Sequence, residues 1–195
     1  EIMNIIKSIS DDLRIDDIYI KEIIKKNNRY KRYSIPKKNG GSRIIYHPSK
    51  ELKTLQYWVA NNVFSNLEIS KYSAAYQKGC SIKNNAEVHK KSNHILHTDI
   101  KDFFNSITSK HINELLTKSS LGLSEEDIEL INKIILYKGR LVIGSVSSPI
   151  VSNCVMNEFD NRLFEKLSKI QQNFKYTRYA DDIVISSNNF IPNED

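Results

Sequence analysis

The feature that most constrains this chain is a pair of adjacent carboxylates, Asp181 and Asp182, between two segments with strand character. The segment 173–178 leads into Tyr179-Ala180, and the apolar run 183–185 follows the acids. This pattern predicts a hairpin that is anchored in a buried sheet and carries the acids at its turn. Two neighbouring carboxylates repel each other unless a cation joins them, although Asp is also common in turns for purely conformational reasons.

A second acidic segment lies about eighty residues upstream. His94-Ile95-Leu96 has the character of a buried strand, Asp99 comes at its end, and Asp102-Phe103-Phe104 begins a helical turn. We therefore expect Asp99 to approach the acidic hairpin from a neighbouring strand. Oxygen ligands of this kind suit Mg²⁺, and carboxylates that hold two such ions are typical of two-metal phosphoryl transfer.

Several segments, taken in order, resemble the motifs of reverse transcriptases, and more narrowly those of bacterial retron reverse transcriptases. The resembling segments are 35–45 with 48–53 (fingers motifs), 99–104, 144–149 and 179–182 (three palm motifs) and 85–89, which matches the Asn-Ala-x-x-His element that marks retron enzymes. The resemblance covers nearly the whole chain. It implies an α+β fold of the right-hand polymerase type, with fingers over residues 1–90 and palm over 91–195. The palm is expected to be an antiparallel sheet backed by helices.

The resemblance also implies a function. The expected activity is that of an RNA-directed DNA polymerase that copies part of a structured noncoding RNA into DNA by two-metal nucleotidyl transfer, in anti-phage defence. Two Mg²⁺ ions, which Mn²⁺ can replace, are the implied cofactors. The implied partners are the noncoding RNA as template and primer, the RNA–DNA hybrid, dNTPs and an effector protein. Two alternatives remain open: another defence-type polymerase or intron maturase, and a module that binds RNA without polymerising.

Individual roles follow from the resemblance position by position. The implied catalytic and metal-binding residues are Asp99, Asp181 and Asp182, with the Ile100 carbonyl as a further metal ligand. The implied nucleotide-binding residues are Lys37 and Arg43 at the triphosphate, Phe104 beside the sugar, and Gly144. The implied RNA-binding residues are Lys38, Asn85 and His89. Simpler alternatives exist for some of them: Lys37 is also typical of a solvated surface, and Asn85 and His89, one helical turn apart, also suit a structural pair.

The sequence departs from the family pattern in two ways. Ile143 stands where family members usually carry a Gln that helps to hold the incoming nucleotide. The family's primer-grip and thumb segments are not found within the 195 residues. We therefore expect these residues by themselves to be weakly active or inactive in DNA synthesis.

Composition agrees with a phosphate-binding protein. The net charge is +6, and the stretch from Lys21 to Lys53 holds eleven Lys or Arg against two Glu. Such a basic region suits a protein that follows a nucleic-acid backbone, or is simply a solvated face. Two cysteines, Cys80 and Cys154, have no partner at zinc spacing, and we expect a reducing cytoplasm. No apolar run approaches the length of a membrane span, and the first residues lack a signal-peptide pattern.

Hydrophobic periodicity and turn residues predict the remaining elements. Predicted helices cover 2–13, 18–26, a stretch containing Leu52 to Val63, 81–91, 124–136 and 147–167. A hairpin is predicted over 33–46, with its turn at 38–41. In the helix at 124–136, Ser124 and Asp127 are spaced as a capping box.

Overall fold

The computed structural model describes residues 4–37, 40–170 and 173–189, and the chain divides into two compact units. One unit comprises Glu1–Leu67 and Phe104–Val151, and the other comprises Glu68–Phe103 and Ser152–Asp195. Each unit is assembled from two separated stretches of sequence. This division therefore does not coincide with the predicted single boundary after residue 90, and the assignment of fingers and palm stays a prediction.

The described residues combine helices with antiparallel strands, as the predicted α+β class requires. The helices are α1 (Ile5–Leu13), α2 (Asp17–Lys25), α3 (Lys50–Asn62), α4 (Ile82–His89), α5 (Phe103–Ser106), α6 (Ser109–Lys118), α7 (Glu125–Ile135), α8 (Ser148–Val155) and α9 (Asn157–Ile170), with a 3₁₀ turn at Phe64–Asn66. The strands are β1 (Tyr30–Pro36), β2 (Ser42–Pro48), β3 (His94–Asp99), β4 (Phe174–Tyr179) and β5 (Asp182–Ser187). Within the described residues, no helix is long and apolar enough to cross a membrane.

The helix predictions are accurate where the sequence carries a capping motif and less accurate where it carries none. Helix α7 begins with the predicted capping box, in which Ser124 and Asp127 bond reciprocally. The helix predicted over 147–167 is present as two helices, α8 and α9, which are separated only at Met156. Backbone bonds nevertheless continue across this junction, from Met156 N–H to the Ser152 carbonyl and from Asp160 N–H to the Met156 carbonyl. Helix α6 was not predicted.

The first unit is built around α7, which packs against α1, α3 and α6. Its apolar core consists of side chains at helical spacing on these elements. Fully buried members include Ile5, Ile9, Leu52, Leu55, Ile112, Leu116, Ile131, Ile134 and Ile135. The Asp127 carboxylate also accepts a 2.8 Å bond from the Ile5 N–H, so the cap of α7 holds the start of α1.

The first unit also carries the predicted hairpin. Strands β1 and β2 pair in antiparallel register, with Tyr30 opposite Pro48 and Pro36 opposite Ser42. Most of their residues are exposed, because no further strand among the described residues joins this two-stranded sheet. Residues 38 and 39 of the predicted turn at 38–41 lie outside the described residues.

The second unit contains a three-stranded antiparallel sheet in the order β3-β5-β4. One face of the sheet carries Tyr176, Ile183 and Ile185, which are buried. The partly buried hydrophobic side chains packed against them are Tyr72, Ile100, Leu163, Phe164, Leu167 and Phe174. Helix α9 supplies three of these and so supports β4 and β5, whereas β3, at the edge of the sheet, is exposed throughout. This arrangement fixes the hairpin that carries the acids.

Candidate active site

The acidic pair lies at the predicted hairpin turn. Tyr179 and Asp182 are the last paired residues of β4 and β5, so Ala180 and Asp181 form a two-residue turn. Ala180 has a φ of +58° and is buried. A positive φ at the first central residue is what a type II′ turn requires, and glycine is the usual residue there. Alanine is unfavourable in this conformation because of its Cβ, so the rest of the structure must hold the turn in place.

Strand β3 brings the third acid to the same end of the sheet. Asp99 lies directly opposite Asp182 in the register of β3 and β5. Side chains opposite each other share a face of the sheet, with Cβ atoms typically about 4.5–5.5 Å apart. The next residue, Ile100, donates its N–H to the Asp181 carbonyl at 3.0 Å. The structure therefore brings Asp99, Asp181 and Asp182 together from two strands and a turn.

A histidine that was not predicted belongs to the same group. The Nε2 atom of His97 lies 3.0 Å from Oδ1 of Asp182, and both side chains are largely exposed. His97 precedes Asp99 by two residues, so the period-2 alternation of a strand directs both side chains to one face. That alternation is the sequence signal that could have identified His97.

The carboxylates provide the oxygen ligands that a hard divalent cation prefers, but they do not form a group of three. Within residues 4–37, 40–170 and 173–189, no three His, Cys, Asp or Glu side chains are close enough to hold a metal ion together. Mg²⁺, however, commonly takes one or two protein carboxylates and completes its shell with waters and substrate phosphates. The facing pair Asp99 and Asp182, with Asp181 beside them, fits that requirement.

The basic hairpin formed by β1 and β2 carries two of the predicted nucleotide-binding residues on one face. Ile35 is opposite Arg43 in the register, and Lys37 follows Ile35 by two residues, so Lys37 and Arg43 alternate onto the same face. Both side chains are exposed. This arrangement is compatible with a shared phosphate ligand. Lys38, the third predicted basic residue, lies outside the described residues.

Gly144 has a structural reason to be glycine. Its φ is +103°, and a Cβ there would lie 2.6 Å from Ile45 Cγ2 and 2.7 Å from the Tyr46 carbonyl oxygen. The preceding Ile143 carbonyl accepts the Tyr46 N–H at 2.8 Å. Residues 143–144 thus lie directly against β2 at the base of the basic hairpin. The nucleotide-binding role of Gly144 stays a prediction.

The serine-rich loop that follows Gly144 is tied to α3 by a buried amide. Gln56 donates from Nε2 to the Tyr30 hydroxyl at 2.8 Å and accepts from Ser145 Oγ at 3.0 Å. Ser145 Oγ also lies 3.1 Å from Ser147 Oγ, and both serines are buried. Burial raises the pKa of Tyr30, which keeps its hydroxyl protonated within this network. The loop therefore serves as a support for the hairpin base.

His89 is buried against the sheet of the second unit. This residue is 4% exposed, and its Nδ1 and Nε2 lie 2.7 Å from Ser186 Oγ and 2.7 Å from Thr177 Oγ1. Burial, together with the positive charge of Lys175, lowers the pKa of His89. Both ring nitrogens are engaged with the sheet, which gives His89 a structural role, and its predicted RNA contact stays a prediction. His89 instead fixes α4 against β4 and β5.

The other two predicted ligands differ in what the structure says about them. Asn85 is half-buried on α4, and among the described residues its Oδ1 has no hydrogen-bond partner. Phe104 is half-buried in α5, and its carbonyl accepts the Ile107 N–H at 3.1 Å. Phe103, the preceding residue, is buried. The sugar-contact role of Phe104 and the RNA contact of Asn85 stay predictions.

These features coincide with a known family. Residues 35–192 match the family described as reverse transcriptase (RNA-dependent DNA polymerase). The chain therefore belongs to the reverse transcriptase family. Among its relatives is the retron Ec73 reverse transcriptase of Escherichia coli, 38% identical over 180 residues, which covers 87% of this chain and 57% of that protein. The retron Ec86 reverse transcriptase of Escherichia coli is 37% identical over 161 residues, 82% of this chain and 49% of that protein.

A solved structure supports the fold. A telomerase from Candida albicans, determined with a fragment of telomeric RNA, superposes with a TM-score of 0.56 at 14% identity, over 94% of this chain and 42% of that one. At this identity the likeness concerns the fold alone. The chain spans about half the length of the curated relatives it matches.

Proposed function

We propose that this protein is an RNA-directed DNA polymerase of the retron type. The observation that carries the proposal is the pairing of Asp99 with Asp182 on neighbouring strands, beside the turn that holds Asp181. These three acids lie in the segments 99–104 and 179–182, which resemble two palm motifs of the reverse transcriptase family. Membership of that family, and similarity to retron enzymes over most of the chain, support the same conclusion.

The proposed reaction is attack by a primer 3′-hydroxyl on the α-phosphate of a dNTP, which forms a phosphodiester bond and releases pyrophosphate. Asp99, Asp181 and Asp182 would hold the divalent cations, with the Ile100 carbonyl as a further ligand. Bound Mg²⁺ supplies charge neutralisation at the phosphates and a more acidic primer hydroxyl. The chain's own contribution is to hold the reacting groups in position, since this chemistry needs no protein nucleophile.

The basic hairpin would bind the triphosphate. Arg43 suits a bidentate contact with phosphate oxygens, and Lys37 acts as a compact charge on the same face. Phe104 would lie beside the sugar and disfavour a 2′-hydroxyl. Gly144 would allow the loop to lie close to β2 and so preserve the shape of the hairpin that carries Lys37 and Arg43.

The proposed substrate is part of a structured noncoding RNA, copied into DNA within an RNA–DNA hybrid, with an effector protein as a further partner and anti-phage defence as the biological role. The support for this finer proposal is the similarity to retron reverse transcriptases together with the excess of basic residues between Lys21 and Lys53. A basic surface of this kind provides sequence-independent affinity for phosphates.

Primer extension by the full-length protein tests the proposal. We expect dNTP incorporation on an RNA template that requires Mg²⁺, stops on chelation, and is lost in Asp181→Asn. Asp102→Asn is the matched control, because Asp102 is exposed and has a φ of +51°, a conformation that Asn also tolerates. Full extension by Asp181→Asn would contradict the assignment, and a wild-type protein that binds RNA without extension would favour the RNA-binding module.

A further inference from the structure

A buried ion pair lies directly behind the acidic turn. Arg178 on β4 and Asp160 on α9 are both 0% exposed. Arg178 Nε donates to Asp160 Oδ1 at 2.8 Å, and Nη2 donates to Oδ2 at 2.9 Å, which is a bidentate pair. The Tyr176 hydroxyl also donates to Asp160 Oδ1, at 2.6 Å. Charges removed from water in this way are costly, and such a pair is not needed for stability alone because apolar side chains can fill the same volume.

The guanidinium has a further arm that reaches the turn itself. Arg178 Nη1 donates to the Ala180 carbonyl at 2.9 Å. Ala180 is the residue with the unfavourable positive φ, and its carbonyl belongs to the peptide bond that leads into Asp181. A bond to this oxygen fixes the orientation of that peptide plane. The direction in which the Asp181 side chain leaves the turn depends on it.

The backbone and the guanidinium of Arg178 both make further contacts, so this residue can act as a rigid support. Its N–H donates to the Tyr72 carbonyl at 2.9 Å, and its carbonyl accepts the Ala74 N–H at 2.7 Å. The Phe103 ring centroid lies 6.0 Å from its guanidinium carbon, within reach of a cation–π contact.

We propose that Arg178 is a positioning residue for the acidic turn, and that the buried Asp160 serves to aim its guanidinium. The pair holds the Ala180 peptide in its strained conformation, and this orients the Asp181 carboxylate so that it would hold the divalent cation together with Asp99. The planar guanidinium uses three separate nitrogens for the two carboxylate oxygens and the carbonyl, a rigid arrangement that the single nitrogen of a lysine does not provide. The inference rests on the proposed polymerase function.

The decisive variant replaces the whole pair, Arg178→Met with Asp160→Leu, in the full-length protein. Apolar residues of similar volume remove both buried charges, so the thermal unfolding midpoint should stay near that of the wild type. The bond to the Ala180 carbonyl is lost. We expect kcat for primer extension to fall about 10–100-fold, the range for losing a residue that orients a metal ligand. The Mg²⁺ concentration for half-maximal activity should rise several-fold, while KM for dNTP changes little.

Two further variants keep the test decisive if the double variant does not fold. Arg178→Lys retains the charge and a single bond to Asp160 but not the fork, so it should lose kcat and Mg²⁺ affinity while remaining folded. Arg162→Met with Glu158→Leu removes an exposed ion pair on the same helix and should change neither quantity.

Mn²⁺ binding, followed by electron paramagnetic resonance, separates this inference from the proposed function. If the wild type binds Mn²⁺ but does not polymerise, the proposed function fails, and weaker Mn²⁺ binding by Arg178→Lys still supports the inference. Wild-type kcat and wild-type Mn²⁺ affinity in a folded Arg178→Lys or double variant would overturn it. A fall in both kcat and Mn²⁺ affinity in the control variant at Arg162 and Glu158 would also overturn the positioning role of Arg178, because the effect would then not depend on the turn.

Discussion

The acidic turn (Ala180 and Asp181, between β4 and β5) and the basic hairpin (β1 and β2) hold their charged side chains in different ways. At the turn, a buried Arg178 holds the Ala180 carbonyl, and Ile100 holds the Asp181 carbonyl, so the backbone around the carboxylates is bonded from two directions. In the hairpin, Lys37 and Arg43 extend from an exposed two-stranded ribbon. One region is fixed by interior contacts, and the other offers charge on side chains that remain free to adapt.

Under the proposed function, the difference follows from what each group would have to do. Ligands of a metal ion must be held within fractions of an ångström, whereas attraction between a cation and a phosphate falls off gradually with distance. A strained, buried turn suits the first task, and an exposed basic strand suits the second. Substitutions at the turn should therefore act through geometry, and substitutions in the hairpin should act through charge.

The largest effect is expected for Asp99→Asn. The change keeps the size and the strand position of the side chain but removes the charge that faces Asp182. We expect kcat for primer extension by the full-length protein to fall at least about 10²–10³-fold, the range for removing one preorganised electrostatic group. The thermal unfolding midpoint should change little, because the side chain is exposed. Near-normal kcat in a folded variant would show that Asp99 is not a metal ligand.

Gly144→Ala should have the next largest effect, and it concerns stability. The added Cβ meets the Tyr46 carbonyl oxygen at 2.7 Å and also requires a residue with a side chain at a φ of +103°. We expect a loss of about 2–4 kcal/mol in the free energy of unfolding from overpacking and backbone strain. Gly139→Ala is the control, because Gly139 has a φ of +75° with nothing within 4 Å of its Cβ. Equal losses in the two variants, measured by urea denaturation, would mean that contact with β2 is unimportant.

Replacement of Lys37, Lys38 and Arg43 by Ala tests the hairpin as an electrostatic device. If each contacts a phosphate, the slope of log affinity against log salt should flatten by about 0.7–0.9 per lost contact. The binding of RNA or dNTP, measured between about 50 and 200 mM salt, gives that slope. The same replacement at Lys110, Lys166 and Lys169, which are exposed elsewhere, is the matched control. Identical slopes for the wild type and the hairpin variant would make the cluster a solvated surface.

His89 should contribute the smallest effect, and only through pH. Its folded-state pKa is lowered by burial, so below the unfolded-state value of about 6.5 the unfolded chain binds a proton that the folded chain does not. The contribution of the neutral His89 side chain to the free energy of unfolding is thus fully present above the unfolded-state pKa. It is lost as the pH falls from there towards the folded-state pKa. The loss is at most about 1.4 kcal/mol per pH unit for one proton.

Comparison with His89→Gln isolates this contribution. Urea denaturation at pH 7 and pH 5 should show a smaller acid-induced loss in the variant than in the wild type. The same loss in both proteins would mean that His89 is not buried in its neutral form.

Local chemistry made part of this structure predictable from the sequence. The acidic hairpin, the basic hairpin and the Ser124 capping box depend on residues a few positions apart, and each was predicted. The support behind the turn was not, because Arg178 bonds Asp160 across 18 positions and an Arg in a strand has no local signal for burial. The bonds of His89 could not be predicted for the same reason, because its partners Thr177 and Ser186 are 88 and 97 positions away.

Locating the cation tests the proposed metal-binding role of the acids most directly. Crystals or frozen complexes of the full-length protein with an RNA template, a DNA primer, a non-hydrolysable dNTP analogue and Mn²⁺ would provide this test. We predict metal density bonded to carboxylate oxygens of Asp99 and Asp181 at about 2.0–2.2 Å, a hard-cation distance. Metal density that is confined to other residues, with these carboxylates uncoordinated while substrate is bound, would contradict the account.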